Sequence, residues 1–200
     1  MTPETLPAGN GVAPESRLAR LKSSAIRLFS ERGYEGAHIS EIARVAGVRK
    51  SSVYTHCSSK DDLFLSLVRE SAELELETVR DRLDEGGILT GLRSYLEELP
   101  ARMKEDPPVL SFLLRSLYTP PPELKAVVLQ VCERLFGRAK SLFAMCLADG
   151  GVPPDGIRGA VEACNAVMDS LHVACMYCPQ NVQIRLESSW SMLESYINSF

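Results

Sequence analysis

The chemistry of this sequence concentrates in one short run, Ile39-Ser40-Glu41-Ile42-Ala43-Arg44-Val45-Ala46-Gly47-Val48-Arg49-Lys50-Ser51-Ser52-Val53-Tyr54. After Gly47 come Arg49, Lys50, Ser51, Ser52, Tyr54, Thr55 and His56, a set with several hydrogen-bond donors and no acid. Such a set suits a surface that faces phosphates and base edges. A bidentate contact from Arg49 or Lys50 to a guanine would supply ~1–3 kcal/mol of discrimination. Ile39, Ile42, Ala46, Val48 and Val53 are spaced to hold two short helices together. Ala43 is small where the helices would cross, and Gly47 tolerates the left-handed turn between them. The run therefore implies a helix-turn-helix that meets double-stranded DNA.

A second constellation is Asp169-x-x-His172-x-x-Cys175-x-x-Cys178. All four residue types ligate metals, and Cys175-x-x-Cys178 has the spacing of redox and zinc motifs. It supports an alternative reading, a metal- or thiol-responsive protein using Cys175, Cys178 and His172. Against that, ligands three apart on a helix drift off a common point, and no second Cys-x-x-Cys exists. Buried thiols are the default, with no metal and no cofactor expected. The sequence has no Walker A loop, no Gly-x-Ser-x-Gly and no His-Glu-x-x-His, so an enzyme is not expected.

The elements that must position these residues are helical throughout. Residues 1–15 carry three Pro and no periodicity and are expected to form a disordered tail. Leu18, Leu21, Ala25, Leu28 and Phe29 mark a first helix that Gly33 ends. Short helices follow at about 39–46 and 49–56. Ser59-Lys60-Asp61-Asp62 has the form of a capping box, opening a helix that runs to the break at Asp84-Glu85-Gly86-Gly87. Further helices are expected over about 89–104, 109–118, 123–148, 156–177 and 183–199, separated by Pro- and Gly-rich breaks. The fold class is all-α: a three-helix helix-turn-helix domain over 16–58, then a larger helical domain over 59–200.

Charge divides along the same line. The net charge of −4 combines −2 over residues 1–15, +6 over residues 16–60 and −8 over residues 61–200. One end is suited to a polyanion and the other is not. No apolar run is long enough to span a bilayer, and six cysteines in apolar stretches suggest reduced thiols. A cytoplasmic protein without a membrane partner is expected.

Residues 21–67 resemble the N-terminal domain of the TetR family of bacterial transcription regulators. The likeness rests on Ala25-Ile26-Arg27-Leu28-Phe29-Ser30-Glu31-Arg32-Gly33-Tyr34-Glu35-Gly36, Ile42-Ala43, Ala46-Gly47-Val48, Val53-Tyr54 and Ser59-Lys60-Asp61-Asp62-Leu63. Departures include Lys22, Ser24, His38 in place of a capping hydroxyl, Cys57 where an aromatic residue is usual, and Ser51-Ser52. The resemblance implies a homodimeric regulator, a repressor released by a small-molecule effector. It also implies DNA contacts from Ser40, Tyr54 and His56, with Lys50, Ser51, Ser52 and Thr55 facing the major groove and Lys60 on a phosphate. Arg17 and Arg20 are further candidates for phosphate contact.

The dimer is expected to form through the last two helices, chiefly by the resemblance. Val161, Cys164, Met168, Leu171, Cys175 and Cys178 form one seam, and Val182, Leu186, Trp190, Leu193 and Ile197 form another. Beside them Asn165, Asp169 and His172 make a polar stripe that could face a cavity. Met103, Phe112, Tyr118, Phe136, Phe143, Met145 and Met168 are candidates for the apolar walls of an effector pocket.

Overall fold

The computed structural model describes residues 16–200, and the expected tail over 1–15 lies outside that range. Every regular element among the described residues is helical. The helices are α1 (Arg17–Gly36), α2 (Ile39–Val45), α3 (Lys50–Val53), α4 (Lys60–Arg102), α5 (Val109–Tyr118), α6 (Lys125–Asp149), α7 (Pro154–Tyr177) and α8 (Val182–Ile197). Short 3₁₀ turns at Pro122–Leu124 and Pro179–Asn181 lead into α6 and α8. No described helix is long and apolar enough to cross a membrane.

Local chemistry sets the boundaries. The Ser16 hydroxyl accepts from the Ala19 N–H at 3.0 Å and caps α1. The Ser59 hydroxyl accepts from the Asp62 N–H at 3.0 Å and caps α4. Asp62 returns the favour one residue early, accepting from the Ser58 N–H at 2.8 Å instead of from Ser59. His38 gives α2 no side-chain cap, in keeping with its place in the sequence. The third helix is shorter than the periodicity implies. Its last turn loosens into a turn over 54–56, where the Thr55 hydroxyl takes the Ser52 carbonyl at 2.7 Å.

α4 is two helical arms in one element. At Gly87 the backbone takes φ +69°, which a side chain would disfavour, and the chain reverses. Contacts of Arg82 with Glu98 and of Glu75 with Arg102 show the arms lying alongside each other. At Gly91 the arms are so close that a Cβ would sit 2.1 Å from the Arg82 carbonyl oxygen.

Two apolar cores result. The first joins α1–α3 to the opening of α4 through Phe29, Ile42, Val53, Phe64 and Leu67. It runs past residue 58, taking in Phe112, Leu113 and Leu117 of α5 and Val128 of α6. The second gathers the rest of α4 with α6, α7 and α8 around Tyr95, Leu99, Phe143, Leu171 and Trp190. α5 belongs to both, because Leu110 and Leu114 face the second core.

Candidate nucleic-acid interface and effector cavity

Buried Ile39, Ile42, Ala43, Ala46 and Val53 tie α2 and α3 to α1 and α4. The turn between α2 and α3 is closed by the Val48 N–H on the Ala43 carbonyl at 3.0 Å. Gly47 sits there at φ +67°, a left-handed conformation that favours glycine. With the apolar positions spent inward, Ser40, Arg49, Lys50, Ser51, Tyr54, Thr55 and His56 are exposed. Ser52 is half-buried. Tyr54 is 48 % exposed. No ion pair engages Arg49 or Lys50 among the described residues, whereas Arg32 and Arg44 both pair with Glu41. Arg49 and Lys50 therefore stand without an ion pair at the start of α3.

Lys60 has a different setting from the others. Its ammonium lies 4.0 Å from the centre of the Tyr34 ring and donates to the Tyr34 carbonyl at 2.9 Å. The Tyr34 hydroxyl donates to Asp61. Burial, and then that carboxylate, push the Tyr34 phenol well above its ordinary range. Lys60 thus joins α4 to the end of α1, half-buried and in register with the helix start.

In the second core a cavity of ≈ 30 Å³ lies between α4, α5, α6 and α7. Of the sequence candidates, Tyr118, Phe136, Met168 and His172 line it. Leu76, Val79, Leu113, Leu114, Leu117 and Leu135 supply most of the remaining wall. The other candidates lie elsewhere. Phe112 packs against Phe29 and Phe64 in the first core, with ring centres 6.1 and 5.5 Å away. Phe143 is fully buried in the second core, Met103 packs at that core's edge, and Met145 is exposed on the outer face of α6, away from the cavity. Asn165 spends its amide on the Val161 carbonyl one turn back, at 2.9 Å. Asp169 is exposed and accepts from the Tyr118 hydroxyl at 2.8 Å, touching the cavity only through that residue.

Sequence reasoning missed Glu75, Tyr95 and Arg102, which surround His172. Glu75 is 7 % exposed and pairs with Arg102, whose Nη1 donates to Oε1 at 3.2 Å. The Tyr95 hydroxyl donates to the same Oε1 at 2.6 Å and lies 2.9 Å from His172 Nε2. A carboxylate can only accept, so the Tyr95 hydrogen is committed to Glu75. His172 Nε2 must then carry the ring hydrogen and donate to Tyr95. Burial holds the imidazole below the usual histidine range, against the pull of Glu75 and Asp169, and keeps it neutral. Its Nδ1 is left as a bare acceptor, buried and without a partner.

The cysteines form no centre. Among the described residues no group of three or more His, Cys, Asp and Glu side chains is placed to hold a metal. All six thiols are unpaired, and burial pushes Cys175 up, away from the reactive thiolate. The seams on the last two helices are also corrected. Val161, Cys164, Met168 and Leu171, with Val182, Leu186, Trp190, Leu193 and Ile197, are buried within this chain, and Cys175 and Cys178 are half-buried. They are the core between α6, α7 and α8, so their periodicity is explained inside one chain. The outward face of α7 and α8 consists of other residues. Met192 is 74 % exposed, and a shallow groove there runs past Ala163, Ala166, Ser170, Ser189 and Tyr196.

Two short helices whose exposed residues from Arg49 to His56 include no acid, mounted on a larger helical body with an internal cavity, define a helix-turn-helix fold. Residues 22–67 match the family model of bacterial regulatory proteins, tetR family. The HTH-type transcriptional repressor AcnR of Corynebacterium efficiens is 33 % identical over 88 residues, 44 % of this chain and 45 % of AcnR. The chain thus aligns with less than half the length of that relative. Likeness of fold extends further. The fatty acid degradation regulator FadR of Bacillus halodurans superposes with a TM-score of 0.69 at 16 % identity, over 93 % of this chain and 96 % of FadR. FadR of Bacillus subtilis, solved in complex with stearoyl-CoA, gives 0.64 at 18 % identity over 90 % of this chain and 98 % of that one.

Proposed function

We propose that this chain is a sequence-specific DNA-binding transcriptional regulator, a repressor that acts as a homodimer and leaves its operator when a small molecule enters the cavity. The observation that carries the reading is the surface formed by Arg49, Lys50, Ser51, Tyr54, Thr55 and His56, exposed, free of acids and braced from behind by buried Ile42 and Val53. The naming of AcnR as a repressor supports the sign of the regulation. No catalytic role is assigned.

A four-residue helix reads too few bases to single out a genomic site. Two copies related by a two-fold axis would place their α3 helices about one DNA turn, ~34–36 Å, apart. The outward face of α7 and α8, with exposed Met192 and Tyr196, is the surface we assign to that pairing. Buried apolar area there would offset the cost of association.

Two elements connect the cavity to the DNA-reading end. α4 carries Lys60 against Tyr34 and, fifteen residues on, Glu75 at the cavity, a span of ~22 Å at 1.5 Å per residue. α5 places Phe112 among Phe29 and Phe64 and turns Leu113, Leu117 and Tyr118 to the cavity. Space of ≈ 30 Å³ holds about one or two waters, so a ligand must part these walls. The form with parted walls then differs from the DNA-bound form, and only such differential affinity can release an operator.

The test is fluorescence anisotropy of the protein on the DNA upstream of its own gene, with Tyr54→Ala as the comparison. Among the described residues no side-chain hydrogen bond of Tyr54 is formed and the ring is 48 % exposed, so the variant keeps its helical circular dichroism and loses operator affinity. Normal affinity in Tyr54→Ala would remove the surface from the account. A Cys175→Ser/Cys178→Ser pair retains binding and release, and loss of either would restore the thiol alternative.

A further inference from the structure

We propose that the cavity beside His172 accepts an uncharged, mainly apolar molecule carrying one hydroxyl or N–H group, which it holds by a hydrogen bond to His172 Nδ1. This rests on the regulator reading above and narrows its effector to a chemical class.

Three observations carry it. The walls are almost wholly apolar, with Leu76, Val79, Leu113, Leu117, Phe136 and Met168 around the space. Apolar area is therefore the main source of affinity. Second, His172 is 4 % exposed and its Nδ1 has no partner, while its other nitrogen is fixed by Tyr95 and Glu75. A buried polar atom left unpaired costs free energy that a donor from the ligand would recover. The direction of the bond follows from the chain of donors. Arg102 donates to Glu75, Tyr95 donates to Glu75, and His172 donates to Tyr95, so Nδ1 can only accept.

The third observation is the disposition of charge. Arg102, the cation at this network, is spent on Glu75. An incoming carboxylate or phosphate would meet no free cation in the walls and would lie near Glu75 and the Asp169 that Tyr118 engages. Buried without a counter-charge, an anion pays heavily. Arg69, Arg134 and Arg138 line a separate cleft that shares only Leu135 with this cavity. A ligand without a donor, such as an ether, fills the apolar space and leaves Nδ1 unpaired.

The experiment uses three probes of one shape, 2-naphthol, 2-methoxynaphthalene and 2-naphthoate, titrated calorimetrically into the full chain at pH 7.5. The expected order is 2-naphthol tighter than the methyl ether by about tenfold, the net worth of one buried hydrogen bond, with naphthoate weakest. His172→Leu removes the acceptor and brings naphthol and ether together. His172→Gln can donate to Tyr95 and still accept from the ligand, so it preserves the preference for naphthol and keeps the test valid if the leucine variant folds poorly. Equal affinities in the native protein, a preference for naphthoate, or binding of none of the three overturns the proposal. Operator binding measured on the same preparation separates the two claims. A chain that binds DNA but lacks the donor preference loses only this inference. A chain with the preference but no affinity for DNA loses the regulator reading instead.

Discussion

Removing Lys50 should change how operator affinity responds to salt, by an amount that follows from the position of its charge. Lys50 opens α3, is exposed, and has no acidic partner among the described residues. A Lys50→Ala variant therefore breaks no internal ion pair. Each phosphate charge neutralised adds about 0.9 to the slope of log K against log salt. A two-fold complex carries Lys50 twice, so the variant's slope should be shallower by about 1.8 if the side chain meets a phosphate. Between about 50 and 200 mM salt the native protein should then lose roughly twelvefold more affinity than the variant. Anisotropy titrations at four salt concentrations give both slopes. Ser51→Ala, one residue on and uncharged, should give a line parallel to the native one. Parallel lines for Lys50→Ala would show that its charge stands away from the DNA backbone. A loss of discrimination at one base pair without a slope change would move Lys50 from phosphate to base.

The other predictions concern stability and the cavity. Phe112→Ala empties the space between α1, α4 and α5 and should cost ~3–5 kcal/mol in urea unfolding. An effect under ~1 kcal/mol would mean the first core closes without it. Gly91→Ala sets a Cβ against the Arg82 carbonyl where the arms of α4 touch, and should destabilise by about 3 kcal/mol. Native-like melting would mean the arms can part freely. His172 is held neutral when folded, below the 6.5 of a free histidine, so the unfolded chain takes up the proton first as pH falls. Stability should therefore decline as pH drops below about 6.5, and His172→Gln should flatten that decline. Unchanged pH dependence in the variant would place the effect elsewhere.

The helix-turn-helix was legible because its demands are local. Ile39, Ile42, Ala46 and Val53 face inward by spacing alone, and Gly47 marks the turn. The break at Gly87 was equally plain. What lay beyond the sequence was which surfaces meet. Helical period sends Phe112 inward but does not say toward which core, and it belongs with Phe29 and Phe64. The regular spacing from Val161 to Leu171 could serve a partner or the chain itself, and the packing of α6 and α8 against α7 uses it internally. Glu75, Tyr95 and Arg102 gave no signal, since each reads as an ordinary member of an amphipathic helix. Only the reversal at Gly87 brings the two arms together, and α7 then adds His172.

The sharing of α5 between both cores bears on how such proteins could be recombined. A graft that transplanted only residues 16–58 onto a foreign body would strip Phe29 of the rings of Phe64 and Phe112. A hybrid that keeps this chain's α2–α3 surface intact needs its crossover inside the body, with the opening of α4 and the inward face of α5 travelling along. Natural shuffling of heads and bodies would meet the same constraint, and would leave its scars near Phe112, far in sequence from the exposed run Arg49 to His56.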